Sequence, residues 1–133
     1  MNYEDRVTKQ YIENALAGCG NCKIATGSYT GTGTFGQANP TGITFPFAPK
    51  FVFVCTRFGL YLRAANSNVV SENGFLWQNG MEQDLAGYGV FRYFSCSANV
   101  LQWYVTPISS DYTISVEQQL NKLNTVYYYL AIG

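Results

Sequence analysis

The chain has no histidine among its 133 residues. The commonest general base and the commonest metal ligand are therefore both missing. Ser-His-Asp and Cys-His nucleophile arrangements are excluded. Of the eight carboxylates, Glu4, Asp5 and Glu13 precede residue 20, while Glu82 and Asp84 stand two apart in an apparent loop. Two such acids are what a glycosidase would use. Solvated loop acids are the plainer reading of that pair, and no catalytic residue is assigned. Cys19-Gly20-Asn21-Cys22 spells C-x-x-C, but it lies after a helical pattern and before a strand pattern. A redox motif of that spelling opens a helix after a strand. A zinc site needs about four ligands, and only Cys55 and Cys96 remain to complete one. Those two fall in strand-like segments and read as buried, inert thiols. Cys19 and Cys22 read as a hinge, with a disulfide between subunits as the alternative. Gly31-x-Gly33-x-x-Gly36 matches a phosphate-binding spelling, yet no helix follows it. No metal and no cofactor is expected.

One constellation remains, and it is aromatic and amide-rich. Trp77 stands beside Gln78 and Asn79, Trp103 beside Tyr104, and Arg63, Asn66 and Asn68 lead into a polar stretch. Sugar sites combine flat aromatic faces with amide or guanidinium groups that bond hydroxyls. Trp103, Tyr104, Trp77, Arg63, Asn66 and Asn68 are accordingly the candidate ligand-binding residues. Trp77 and Trp103 have a second reading as core residues, since tryptophan is highly buried on average.

These residues need a scaffold, and the bulk composition limits what it is. At 133 residues the chain is one domain with a single core. Charged residues make up 12% of it, against about 25% in ordinary soluble chains. Aromatic residues make up 17%, including 11 tyrosines. The polar surface is therefore built largely from Thr, Ser, Asn, Gln and Gly. Tyr and Thr are also good strand formers, so strand content explains the same composition. Eight Lys and Arg balance eight Asp and Glu, which argues against nucleic-acid binding and against a polybasic membrane contact. No apolar run is long enough to span a bilayer. The first residues, Met1 to Val7, are charged and lack the apolar centre of a secretory signal.

Tyr3, Val7, Tyr11 and Ala15 recur every fourth residue, with Ile12 and Leu16 widening the stripe. This spacing predicts a short helix over about residues 3–17, stopped by Gly18 and Gly20. A helix so short needs a partner, either its own domain or equivalent helices of neighbouring subunits. Beyond Cys22 the pattern turns to strands: 23–35, 43–45, 51–57, 60–65, 75–78, 88–96, 101–106, 112–116 and 126–132. Asn79-Gly80 is a turn signal, Asn99-Val100 lies near another, and residues 117–124 form the last connection. Many short strands between turns predict an all-β antiparallel sandwich behind a short N-terminal helix. Residues 1–22 then form helix and hinge, and 23–133 the sandwich. Tyr127 to Gly133 reads as a strand paired within a sheet, because an unpaired terminus would fray.

Three segments carry a family resemblance. They are the lead-in Ala25-Thr26-Gly27-Ser28-Tyr29-Thr30-Gly31-Thr32-Gly33-Thr34-Phe35-Gly36, the turn Pro46-Phe47-Ala48-Pro49-Lys50, and the closing Tyr127-Tyr128-Tyr129-Leu130-Ala131-Ile132-Gly133. Over roughly residues 23 to 133 they resemble the H-type lectin-like β-sandwich of tail fibre and receptor-binding proteins from phages and prophages of gut Firmicutes. The resemblance implies a homotrimer, in which a three-helix bundle would bury Tyr3, Val7, Tyr11 and Ala15. It implies a non-catalytic domain that recognises a bacterial surface glycan, alone or beside other tail proteins. It also implies a location on the virion tail, or outside the cell after lysis. The alternative is a trimeric structural tip or assembly module without a ligand. The matching segments are structural, so the resemblance assigns no ligand-binding residue.

Overall fold

In the computed structural model, residues 22–56, 74–87 and 89–133 are described. The strands are β1 (Ile24–Thr30), β2 (Thr41–Thr44), β3 (Phe51–Thr56), β4 (Gly74–Gln78), β5 (Gln83–Gly87), β6 (Val90–Ser97), β7 (Val100–Pro107) and β8 (Val126–Ile132). They form two four-stranded sheets, ordered β1-β8-β3-β4 and β2-β7-β6-β5. All their pairings are antiparallel. No helix occurs among the described residues. The predicted helix, with Tyr3, Val7, Tyr11 and Ala15, and the predicted strand 60–65 lie outside them.

The alternation along each strand decides what the sheets bury. In β3, Val52 and Val54 point inward; in β8, Tyr127 and Ala131 do; in β4, Phe75 and Trp77 do. From the second sheet Ile43, Phe94, Leu101 and Trp103 meet them in one core. Successive side chains of a strand face opposite sides, so this pattern fixes the register: a one-residue slip would expose the whole set. The final strand is paired on both sides, with β1 and with β3. Lys23 and Gly133 exchange both backbone hydrogen bonds at 3.1 and 2.8 Å, which secures the end of that strand.

The connection from Glu117 to Thr125 forms part of the core. Gln118, Gln119, Leu120 and Asn121 are all buried. Leu120 has φ +57°, a left-handed conformation that costs a non-glycine residue about 1–3 kcal/mol. Hydrogen bonds from its neighbours hold it there. The Asn121 Nδ2 donates to Thr34 O and Thr32 Oγ1, both at 2.8 Å, while its Oδ1 accepts from Thr32 N. This connection also explains the glycine spelling. Gly31 N donates to Thr125 O, Gly33 N to Asn121 O and Gly36 N to the Gln119 Oε1. The amides that might have cradled a phosphate are thus used internally. A Cβ at Gly31 would collide with the Lys122 carbonyl.

Two strand predictions are corrected. Residues 112–116 form no strand. Tyr112 N bonds back to Ser109 O in the turn before the segment, and Ser115 N bonds to the Gln118 Oε1 in the turns that follow it. Ile114 instead packs on Ala86, Val90 and Val105. Conversely, Gln83–Gly87 is strand β5, although its Asp, Ala and Gly are poor strand formers. The Asn79-Gly80 turn is present, with Met81 N bonded to Gln78 O. It passes the chain from one sheet to the other rather than closing a hairpin.

Candidate functional site

The two tryptophans are core residues, which corrects their reading as stacking platforms. Trp103 is 0% exposed and Trp77 1%. The Trp103 Nε1 donates to Gln119 O at 2.7 Å, and its ring meets Phe75 edge-on at 4.9 Å. The Trp77 Nε1 donates to Met81 O at 3.1 Å. Each indole thus has its polar handle satisfied inside the protein and offers no face to a sugar. Arg63, Asn66 and Asn68 lie outside the described residues. Tyr104 is placed differently: one step along β7 from Trp103, it points to the outer face and is half-buried.

The register then assembles a surface that sequence reasoning missed. Across β5, β6 and β7, Gln83 pairs with Tyr93 and Tyr93 with Tyr104. The Tyr93 and Tyr104 rings stack with centroids 5.7 Å apart and planes 27° apart. Phe91 meets Tyr93 edge-on at 6.4 Å. In the adjoining row, exposed Ser95 pairs with exposed Gln102, which pairs with Gly42 of β2. The outer face of β2-β7-β6-β5 is therefore an aromatic ladder beside two glutamine amides and a serine hydroxyl. None of these side chains is charged. The signal was present in the alternation of Phe91 and Tyr93 with buried Arg92 and Phe94, and of Gln102 and Tyr104 with buried Trp103.

The acidic pair resolves differently from its loop reading. Asp84 lies on β5 and points into the sandwich, 24% exposed, whereas Glu82 is exposed just before the strand. Both Asp84 oxygens accept from Arg92, at 2.9 Å from Nε and 2.7 Å from Nη2. The Arg92 side chain is 0% exposed. It also reaches Gln118 O at 3.2 Å and Gly74 O at 3.4 Å, and lies 5.1 Å above the Phe75 ring. Burial pushes the Asp84 carboxyl above the usual range, and its hydrogen bonds and attraction to Arg92 offset part of that rise. The pair ties β5, β6 and the 117–121 connection together.

The reading of Cys55 and Cys96 as buried thiols is corrected for both. Cys22 is exposed and Cys55 half-buried, but Cys96 is exposed at the end of β6 rather than buried. Partial burial still holds its thiol above the ordinary value. Cys19 lies outside the described residues. Among the described residues no three His, Cys, Asp or Glu side chains gather where a metal could sit. No helix among them is long and apolar enough to cross a membrane. No family model matches the chain, and neither a curated protein nor a solved structure is significantly similar to it.

Proposed function

We propose that this chain is a receptor-binding domain of the H-type lectin-like kind from a phage or prophage tail, and that it holds a cell-surface glycan without cleaving it. The observation that carries this reading is the Tyr93–Tyr104 stack flanked by Gln83 and Gln102 on an outer sheet face. Tyrosine rings give the apolar side of a pyranose a surface, and the amides exchange hydrogen bonds with its hydroxyls. The tyrosine, glutamine and serine side chains of this face are uncharged, which suits a neutral sugar. A shallow face recovers little apolar burial, so one site binds weakly. Three sites on a homotrimer would add avidity against a repetitive polymer. The domain would act on the virion tail, or outside the cell after lysis.

The test is a broad array of bacterial cell-wall and capsular glycans probed with the unmodified chain. Binding to neutral glycans that persists in moderate salt is expected, because no charge cluster drives it. Light scattering should give three times the chain mass of 14.8 kDa; a monomer at micromolar concentration would remove the avidity argument.

A second reading, a structural tip or assembly module, is favoured by one observation. The outer face of β1-β8-β3-β4 exposes Ile24, Phe51, Leu76 and Tyr128 among Thr26, Ser28 and Gln78. An array without any binder, probed with folded protein, would leave that reading standing.

A further inference from the structure

The Tyr93–Tyr104 stack lies between two unlike rows of the same sheet face. Toward one end of the sheet, the register sets Leu85 beside Phe91 and Phe91 beside Thr106. All three are half-buried, and the Phe91 ring meets Tyr93 edge-on at 6.4 Å. Ile108, two residues past Thr106 and bonded through its amide to Gly89 O, is 53% exposed. Toward the other end lies the row of Ser95, Gln102 and Gly42, all exposed. Same-face residues of a strand are about 6.8 Å apart, so each row adjoins the stack. The Ser95 hydroxyl and the Gln102 amide exchange hydrogen bonds, whereas the Leu85 and Phe91 side chains carry no polar atom. The two charged side chains of β2, β5, β6 and β7, Asp84 and Arg92, bond each other on the inner side.

We propose that the sugar held on this face is a 6-deoxyhexose, its C6 methyl over Phe91 and Leu85 and its ring hydroxyls toward Gln102 and Ser95. This inference rests on the glycan-binding reading of the Tyr93–Tyr104 stack. A parent hexose has an oxygen on each of its six carbons, so the corner that faces the Leu85–Phe91 row brings one with it. That hydroxyl loses water and gains no partner from Leu85 or Phe91, and a polar group desolvated without a hydrogen bond is costly. A 6-deoxyhexose turns a methyl group to that row and keeps its ring hydroxyls for the amide row. An acetamido sugar fits less well, because its N–H and C=O would lie over the same apolar side chains. A side chain at position 42 would crowd Gln102, since a Cβ there would lie 3.1 Å from its Cγ. Glycine leaves that amide open to the polar side of the sugar. Phe91 and Leu85 are thus the residues that set specificity.

The experiment displays matched neutral sugars on one carrier protein. They are 6-deoxyhexoses and parent hexoses of galacto, gluco and manno configuration, in D and L forms, with the corresponding N-acetylhexosamines. The unmodified full chain is titrated with each. In the configuration that binds best, the 6-deoxy member should bind about fourfold more tightly than its parent, the scale of one buried methylene-sized group. Phe91→Thr, or Leu85→Thr, should bring the two members close to equal. Ser95→Ala should weaken both alike and leave their ratio unchanged.

Equal binding of the two members, or tighter binding of the parent hexose or the N-acetylhexosamine, would overturn the proposal and leave the tyrosine platform standing. A preference that survives in folded Phe91→Thr and Leu85→Thr would also overturn it, by placing the methyl group elsewhere. Absence of binding to every sugar, with folded protein, would overturn the proposal together with the glycan reading. The matched pairs on the unmodified chain decide even where neither variant folds.

Discussion

Arg92→Ala should unfold at a much lower urea concentration than the unmodified protein. The guanidinium is buried and is held by Asp84, Gln118 O, Gly74 O and the Phe75 face. Its removal strands a largely buried carboxylate and leaves a void between the sheets. Breaking a buried pair from one side costs about 3–5 kcal/mol, a large share of the 5–15 kcal/mol typical of a whole domain. The deficit should depend on pH with a definite sign. Without Arg92, the Asp84 carboxyl is raised further above its unfolded value. Its proton is then bound more tightly in the folded state, so stability falls as pH rises through the folded pKa. The variant should therefore lose least in acid and most at neutral pH. Removing the charge as well, in Arg92→Met with Asp84→Asn, should recover much of the loss. A loss below about 1 kcal/mol, the size of a surface pair, would contradict the role given to Arg92.

Gln119→Ala should be comparably damaging, although it removes only one uncharged side chain. Gln119 is 0% exposed and its amide is fully used. Oε1 accepts from Gly36 N at 2.8 Å and Val105 N at 3.2 Å; Nε2 donates to Asn39 O at 2.8 Å and Thr41 Oγ1 at 3.0 Å. Val105 lies beyond the reach of β2, whose first residue Thr41 pairs with Trp103. The glutamine amide thus continues the ladder where the strand ends. Alanine would leave several buried groups unpaired at about 1–3 kcal/mol each. The thermal midpoint should fall by about 10 °C or more. A change within the ±0.5 kcal/mol typical of surface substitutions would contradict this account.

Strand existence was legible wherever β-forming residues ran unbroken. Val126 to Ile132 was predicted with its observed limits, and Phe51–Thr56 within one residue. Gln83–Gly87 was not legible, because its place in the sheet comes from pairing with β6 and from Asp84 meeting Arg92. The 112–116 segment looked like a strand because Thr113, Ile114 and Val116 favour one. No strand among the described residues pairs with it, and turns at both of its ends take up its neighbours. At the candidate site, sequence could name Trp103 and Tyr104 but not tell which faced outward. The inward residue is set by the core it joins, and its neighbour then has to face out. The partners of Tyr104 come from β5 and β6, and only the pairing register brings Gln83 and Tyr93 to it.

The most direct test of the glycan platform is a titration with the neutral oligosaccharide that binds best on the array. The unmodified protein is compared with Tyr104→Ala and Tyr93→Ala, each shown to keep its unfolding midpoint to within a few degrees. Both rings point outward, so their loss should spare the fold. Losing one stacking contact should weaken binding by about tenfold, the ratio that corresponds to 1.4 kcal/mol, whereas Phe at either position should preserve most of it. Unchanged affinity in both folded alanine variants would place the sugar elsewhere and contradict the site assigned to the outer face of β2-β7-β6-β5.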